Sequence, residues 1–123
     1  MKNLIIDAAN EKIFFSIITE SESYTTTHIN SSKNFDKFTI LLLDFLKLSK
    51  TNLKEINNIF VNQGPGKFSG IRIAISVVKA LSLTNNIALY GFSSKDIEKN
   101  EYKKIIELFK KGKLIKDLIK PLY

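Results

Sequence analysis

The sequence predicts a single α/β domain on a mixed five-stranded sheet, in the order β-β-β-α-β-α-β followed by a C-terminal helix. Three observations carry this. The first 30 residues hold three short apolar or β-branched runs separated by brief polar turns, the pattern of an antiparallel meander. Two longer stretches, 35–49 and 70–83, carry helical spacing, and each leads into a short apolar run at 59–61 and 87–92. The last two runs are joined by a helical crossover and are therefore expected to be parallel, with a right-handed connection.

The N-terminal segment Met1–Ile6 ends in the continuous run Leu4-Ile5-Ile6, closed by Asp7 and a turn, and reads as a buried strand. Lys12–Thr19 follows, with Ile13, Phe14, Phe15, Ile17 and Ile18 as its apolar content. Tyr24–Ile29 is β-branched and aromatic but poor in large apolar groups, which suits an edge strand; His28 lies in it as a surface residue. Phe35–Ser49 places Phe35, Phe38, Leu42, Phe45 and Leu46 on one helical stripe and leaves Ile40, Leu41, Leu43 and Leu48 outside it.

The helix at 70–83 has only Arg72 and Lys79 as charges, and its isoleucines, valines and leucines run around the whole circumference. A helix apolar all round must be buried on more than one side. Both helices are thus expected to bury a second face against another protein. Ser93–Asn100 reads as a polar linker, and Tyr102, Ile105, Ile106 and Phe109 define an amphipathic helix stopped at Gly112. Residues 1–94 form the main lobe in this reading, and 95–123 a linker and helical tail packed on the same domain.

With 123 residues, 44% of them hydrophobic, the chain can bury one core. It has no cysteine and one histidine, which excludes a disulfide framework, a thiol nucleophile and a His/Cys metal cluster. No long apolar run suggests a membrane span, so a cytoplasmic protein is expected. The net charge is +7, distributed as −2 over residues 1–30, +2 over 31–66, +3 over 67–93 and +4 over 94–123. A basic face suits phosphate, yet no aromatic-interleaved RNA-binding signature accompanies it.

Between the strand at Ile59 and the second helix lies Gly64-Pro65-Gly66-Lys67-Phe68-Ser69-Gly70, three of the five glycines in seven positions. Glycine permits close backbone approach, proline fixes φ, and Ser69 is a fair N-cap for the helix, so the loop is expected to have a defined shape. Its spacing does not fit a Walker A loop. A rigid turn that aims the helix and an anion site near Lys67 and Ser69 both remain open. Asp7, at the end of the first strand, is either a turn-capping residue or the acid of a catalytic site. A two-metal nuclease needs several converging carboxylates, and the strand at Ile59 ends instead in Asn62-Gln63. Arg72, the one arginine beside eighteen lysines, suggests planar pairing that an ammonium would not reproduce.

The stretch Gly64-Pro65-Gly66-Lys67-Phe68-Ser69-Gly70-Ile71-Arg72-Ile73, with Lys79-Ala80-Leu81 beyond it, resembles the GPGSFTGLRIG…AKGLA signature of the TsaB (YeaZ) family. Lys67 stands in place of its Ser, Ser69 of its Thr and Ala74 of its Gly. Leu4–Ala9 is similar to its first strand and Asp-Thr-Ser turn, and 87–94 to its strand ending in Gly-Val-Ser-Ser. About a hundred residues of a second lobe, expected between Ser94 and Glu101, are not represented.

The resemblance implies one ribonuclease H-like, or actin-like ATPase half, domain. It implies a non-catalytic scaffold that supports TsaD in threonylcarbamoyladenosine modification of tRNA at adenosine 37, with TsaE in the larger complex. TsaD would be bound through the first two helices, with a homodimer through the same helices when alone and tRNA met only indirectly. Ile40, Leu41, Leu43, Leu48, Arg72, Ile75, Val78, Lys79 and Ser82 are then the expected partner-facing residues. Gly64, Pro65, Gly66, Ser69 and Gly70 form a structural loop, and no catalytic residue, cofactor or metal is expected. Two alternatives stay open: a nucleotide-binding or nuclease domain using Asp7 and the glycine loop, and a basic RNA-binding module.

Overall fold

A computed structural model describes residues 1–97 and 101–122. The end of the expected linker, residues 98–100, and Tyr123 of the tail lie outside the described residues. Strands β1 (Asn3–Asp7), β2 (Lys12–Ile18), β3 (Ser23–Ile29), β4 (Asn58–Asn62), β5 (Ala88–Phe92) and β6 (Ile115–Lys116) form one sheet in the order β3-β2-β1-β4-β5-β6. The meander β1-β2-β3 is antiparallel, with Ile5 opposite Ser16 and Phe15 opposite Thr26. β1, β4 and β5 run parallel, with Ile5 beside Phe60 and Phe60 beside Tyr90. The sheet has six strands rather than the five expected, because Ile115–Lys116 turns back along β5 antiparallel. Two residues give too little periodicity to read as a strand.

The expected first helix divides into α1 (Ser32–Phe35) and α2 (Phe38–Leu48), with Ser31 capping the first through the Asn34 amide. The second is α3 (Phe68–Asn85), ended by Asn86 in the left-handed conformation at φ 52°. Leu4, Ile6, Ile13, Phe15, Ile17, Ile59, Val61 and Leu89 point from the sheet to this helical side. There Phe15 meets Phe38 edge-on, with ring centroids 5.5 Å apart. Each such fully buried side chain contributes about 1.5–3 kcal/mol, so this larger cluster is the main source of stability.

The residues between them, Ile5, Phe60, Tyr90 and Phe92, point to the opposite side. The period-2 alternation of strands makes this division unavoidable. α4 (Lys103–Lys110) covers that side with Ile105, Ile106 and Phe109. It reaches β1, β4 and β5 and touches β2 only at Phe14 and Ile18, so an open trough of about 740 Å³ runs over the rest of β2 and β3, floored by Phe14, Ser16, Thr25 and Thr27. Among the described residues no helix is long and apolar enough to cross a membrane.

Candidate functional site

In open α/β sheets, ligands bind outside the carboxyl ends of the parallel strands. Here that end gathers Asp7 of β1, Asn62 and Gln63 after β4, Ser94 after β5 and the glycine loop. Asp7 is 1% exposed. Its Oδ1 accepts from the Ala9 amide at 2.9 Å and from Asn62 Nδ2 at 3.1 Å; its Oδ2 accepts from the Tyr102 hydroxyl at 2.7 Å and Asn10 Nδ2 at 3.4 Å. Both oxygens are occupied by neutral donors from the chain itself. Burial, then the Asp7 charge and this hydrogen bond, push the Tyr102 phenol well above the ordinary tyrosine range. The Tyr102 ring also stacks on Phe14 at 3.9 Å.

The loop is fastened on every side. The Asn62 carboxamide accepts from the Gly64 amide at 2.8 Å and donates to Ser94 Oγ at 3.1 Å. Ser94 in turn donates from its hydroxyl to Pro65 O at 2.7 Å and from its amide to Gly64 O at 2.9 Å. Gly66 lies against the Ala9 carbonyl so closely that a Cβ there would overlap it, and the Lys67 amide donates to the same carbonyl at 2.7 Å. Gly64, at φ 103°, is closed over by the tail: the Leu122 amide donates to Gln63 O at 2.7 Å, and Gln63 Nε2 donates to Lys120 O at 3.0 Å. Of the two readings of this loop, the rigid turn matches the geometry.

The sequence suggests Ser69 as the N-cap of a helix from Gly70, and the structure corrects this: α3 begins at Phe68 with Lys67 as its unassisted N-cap, and Ser69 is exposed in the first turn. The Lys67–Ala9 bond fixes the chain two residues earlier than the hydroxyl pattern suggests. The Lys67 ammonium leans on Glu11 at 3.3 Å. Nor is Ser93–Asp96 a free linker, since Ser93 caps a short 3₁₀ turn and Ser94 joins the network above. Neither Tyr102 nor Ser94 was legible as a site residue, because their partners lie 95 and 32 residues away. His28 is half-buried, with its ring 5.9 Å from that of Phe15.

The outward faces of α2 and α3 are the second candidate. Ile40, Leu43 and Leu48 are 60%, 46% and 67% exposed on the side of α2 away from the sheet, and Leu41 is half-buried at its margin. On α3 the expectation fails in part. Ile75 and Val78 are 4% and 0% exposed, because they face the sheet and belong to the core rather than to a partner. Ser82 is also a correction: its hydroxyl donates to the Ile87 carbonyl at 2.5 Å and clamps the turn after the helix.

The outward stripe of α3 is instead Ser69, Arg72, Ser76, Lys79, Ala80 and Leu83. It is small and basic, and the helix is not apolar all round: Ile73, Val77 and Leu81 turn inward to pack on the core. Arg72 lies over the Phe68 ring, 4.9 Å from its centroid, and has no carboxylate partner among the described residues.

A family model described as TsaD, tRNA N6-adenosine threonylcarbamoyltransferase, matches residues 17–98. A threonylcarbamoyladenosine biosynthesis protein TsaB from Buchnera aphidicola subsp. Schizaphis graminum is 29% identical over 94 residues, covering 76% of this chain and 45% of that protein. The Escherichia coli TsaB is 27% identical over 94 residues, with 76% and 41% covered. The chain thus spans less than half the length of the curated relatives it matches. YeaZ from Pseudomonas aeruginosa superposes with a TM-score of 0.73 at 21% identity, over 90% of this chain and half of that one. Thermus thermophilus RuvC superposes at 0.63 with 7% identity, over 94% of this chain and 99% of that one. These structural likenesses establish the ribonuclease H-like fold.

Proposed function

Because the chain belongs to the family of TsaD and its TsaB (YeaZ) relatives, we propose that it is a non-catalytic subunit of tRNA threonylcarbamoyladenosine biosynthesis that binds and supports a TsaD-type partner. The observation that carries the reading is the exposed row Ile40, Leu43 and Leu48 on α2, lying beside the small basic stripe of α3. Isolated exposed leucines are ordinary on any surface, but Ile40 and Leu43, neighbours at i, i+3, with Leu48 on the other side of the exposed Asp44 and Lys47, supply apolar contact on the outward half of the helix that an interface can use. Arg72 and Lys79 form a cationic margin. That margin suits a partner offering carboxylates better than a second copy of this chain, so the heteromeric use of these helices has more support than the homodimer. TsaE and tRNA enter this reading only through the larger assembly, in the cytoplasm where the tRNA is modified.

The enzyme alternative fares worse on geometry. Asp7 spends both oxygens on the chain's own donors, and among the described residues no cluster of three or more acidic, His or Cys side chains is placed to hold a metal ion. The deciding experiment is co-purification with TsaD from the same organism, comparing wild type with Leu43→Glu and Ala80→Glu. Capture by wild type, lost in either variant while its circular dichroism is unchanged, supports the reading. Failure of wild type to bind under all conditions overturns it.

A further inference from the structure

The C-terminal stretch carries a charge that the proposed TsaD surface does not use. Residues 103–120 hold seven lysines against Glu107 and Asp117, so they supply five of the seven net positive charges of the chain, and all seven lysines are exposed. Five of them gather on α4 and the turn after it. Ile105 and Phe109 face the sheet, which leaves Lys103, Lys104, Lys110 and Lys111 on the outward stripe, with Lys113 just beyond the helix. From Lys103 to Lys111 the stripe runs about 12 Å along the axis. Ordinary helix physics does not account for it. A cation is favourable in the last turn, where Lys110 lies, but unfavourable in the first, where Lys103 and Lys104 take the first two positions with no acid in that turn. Glu107 stands one turn from all four helix lysines, and Glu101 precedes the cap; yet neither is ion-paired with a lysine among the described residues.

We propose that the outward stripe of α4, continued by Lys113, is a contact surface for the phosphate backbone of a structured RNA. Its chemistry separates RNA from a protein partner. Between Lys103 and Lys113 no large apolar side chain is exposed, so the stripe lacks the apolar centre of a protein interface, whereas a phosphate contact needs charge alone. Lysine is a point charge that neutralises phosphate without reading bases, so the contact positions an RNA and carries no sequence information. α4 lies on the opposite side of the sheet from α2 and α3, so a partner on those helices leaves the stripe open. That the RNA is the tRNA under modification rests on the proposed role beside TsaD; the stripe adds a direct contact to a substrate that this role brings in only through the larger assembly.

Fluorescence anisotropy of a labelled, unmodified tRNA transcript, titrated with the full chain between about 50 and 200 mM salt, tests the proposal. Binding in the range of about 10⁻⁶–10⁻⁴ M at the lower salt is expected, weakening with a log–log slope of about −2 to −4, as for roughly three or four phosphates. The Lys103→Gln/Lys104→Gln/Lys111→Gln variant is expected to lower affinity at least about tenfold and to flatten the slope by about 2, with circular dichroism and TsaD capture unchanged. Lys33→Gln/Lys37→Gln/Lys47→Gln removes the same charge from exposed positions on the α1–α2 side and is expected to change affinity less than about threefold, since distant charges are screened. Absence of binding up to about 500 µM at the lower salt, equal loss in both variants, or a titration indifferent to all six substitutions overturns the proposal. Loss of TsaD capture in the α4 variant overturns it as well, by making the stripe a protein contact. The titration uses this chain alone, so a wild type that fails to capture TsaD sinks the proposed role and leaves the RNA contact to be judged on its own.

Discussion

The carboxyl end of the sheet and the outer face of α2 are opposite solutions to the same constraint. At the first, the central polar atoms are already used: Asp7 by Tyr102, Asn62 and the Ala9 amide, and Gly64 by the Asn62 carboxamide and the Ser94 amide. At the second, Ile40, Leu43 and Leu48 remain in water with nothing over them in the single chain. Around Asp7 the crevice is internally satisfied, while Asn30 Oδ1, against Gly70, is buried without a partner among the described residues; the helix face is apolar and exposed, which suits it to a partner. The usual binding place of open α/β sheets and this chain's proposed working surface are therefore not the same place.

The largest effect that sharpens this contrast is Asp7→Ala. It leaves the Tyr102 hydroxyl and the Ala9 amide without an acceptor and the Asn62 carboxamide donating to Ser94 alone, at about 1–3 kcal/mol for each buried donor left unmade. A total loss of roughly 3 kcal/mol in urea unfolding is expected, with TsaD capture retained wherever the variant remains folded. A fully stable Asp7→Ala protein would mean that the crevice is not the internal clasp described.

Next comes Leu43→Glu, the converse case. Being exposed, it should change folding stability by no more than about 0.5 kcal/mol, yet placing a carboxylate in an apolar interface should cost at least about 2 kcal/mol of partner affinity, some thirtyfold. Calorimetric titration with TsaD reads the second quantity and thermal melting the first. Loss of both would show that α2 is a core helix whose exposure has been misjudged.

How far these two regions were legible in the sequence differs for a physical reason. The antiparallel meander, the parallel β4–β5 pair and the apolar stripe of α2 follow from periodicity and chain order, which are local. The face of α3 did not follow, because a helix carrying isoleucine and valine on several sides gives a weak periodic signal, and Ile75 and Val78 sat within it as well as Ile73 and Val77. Only their position over β4 and β5 decides which are buried. The glycine loop was recognisable as rigid, but not the identity of its clamps, since Gln63 with Lys120, and Asp7 with Tyr102, pair across most of the chain.

Tyr102→Phe tests the clasp more gently. Removing the hydroxyl keeps the ring stacked on Phe14 and should cost about 1 kcal/mol at neutral pH. The pH dependence is more diagnostic. Because folding raises the Tyr102 pKa above its unfolded value of 10.0, its contribution is fully present below pH 10 and is lost as pH rises from there toward the folded value. In that window the unfolded chain has released a proton that the folded chain keeps, so stability falls by about 1.4 kcal/mol per pH unit from this group. Urea unfolding across that alkaline range should show the slope in wild type, reduced by one proton in Tyr102→Phe. Equal slopes would place the hydroxyl outside the crevice.

The smallest expected effect lies on the open face, at Arg72→Lys. Arg72 is exposed and rests on the Phe68 ring, an arrangement worth about 0.5–1 kcal/mol at an exposed site and more when a partner excludes water from it. A lysine keeps the charge but loses the planar fork and the flat stacking surface. Folding stability should therefore be nearly unchanged, while TsaD affinity falls about three- to tenfold, well short of the loss at Leu43. Salt should weaken wild type and Arg72→Lys alike, because both retain the cation. Titration of both variants in parallel settles which helix holds the centre of the contact. If Arg72→Lys proves as damaging as Leu43→Glu, the energetic centre belongs to the basic stripe of α3, and the apolar row of α2 is its rim.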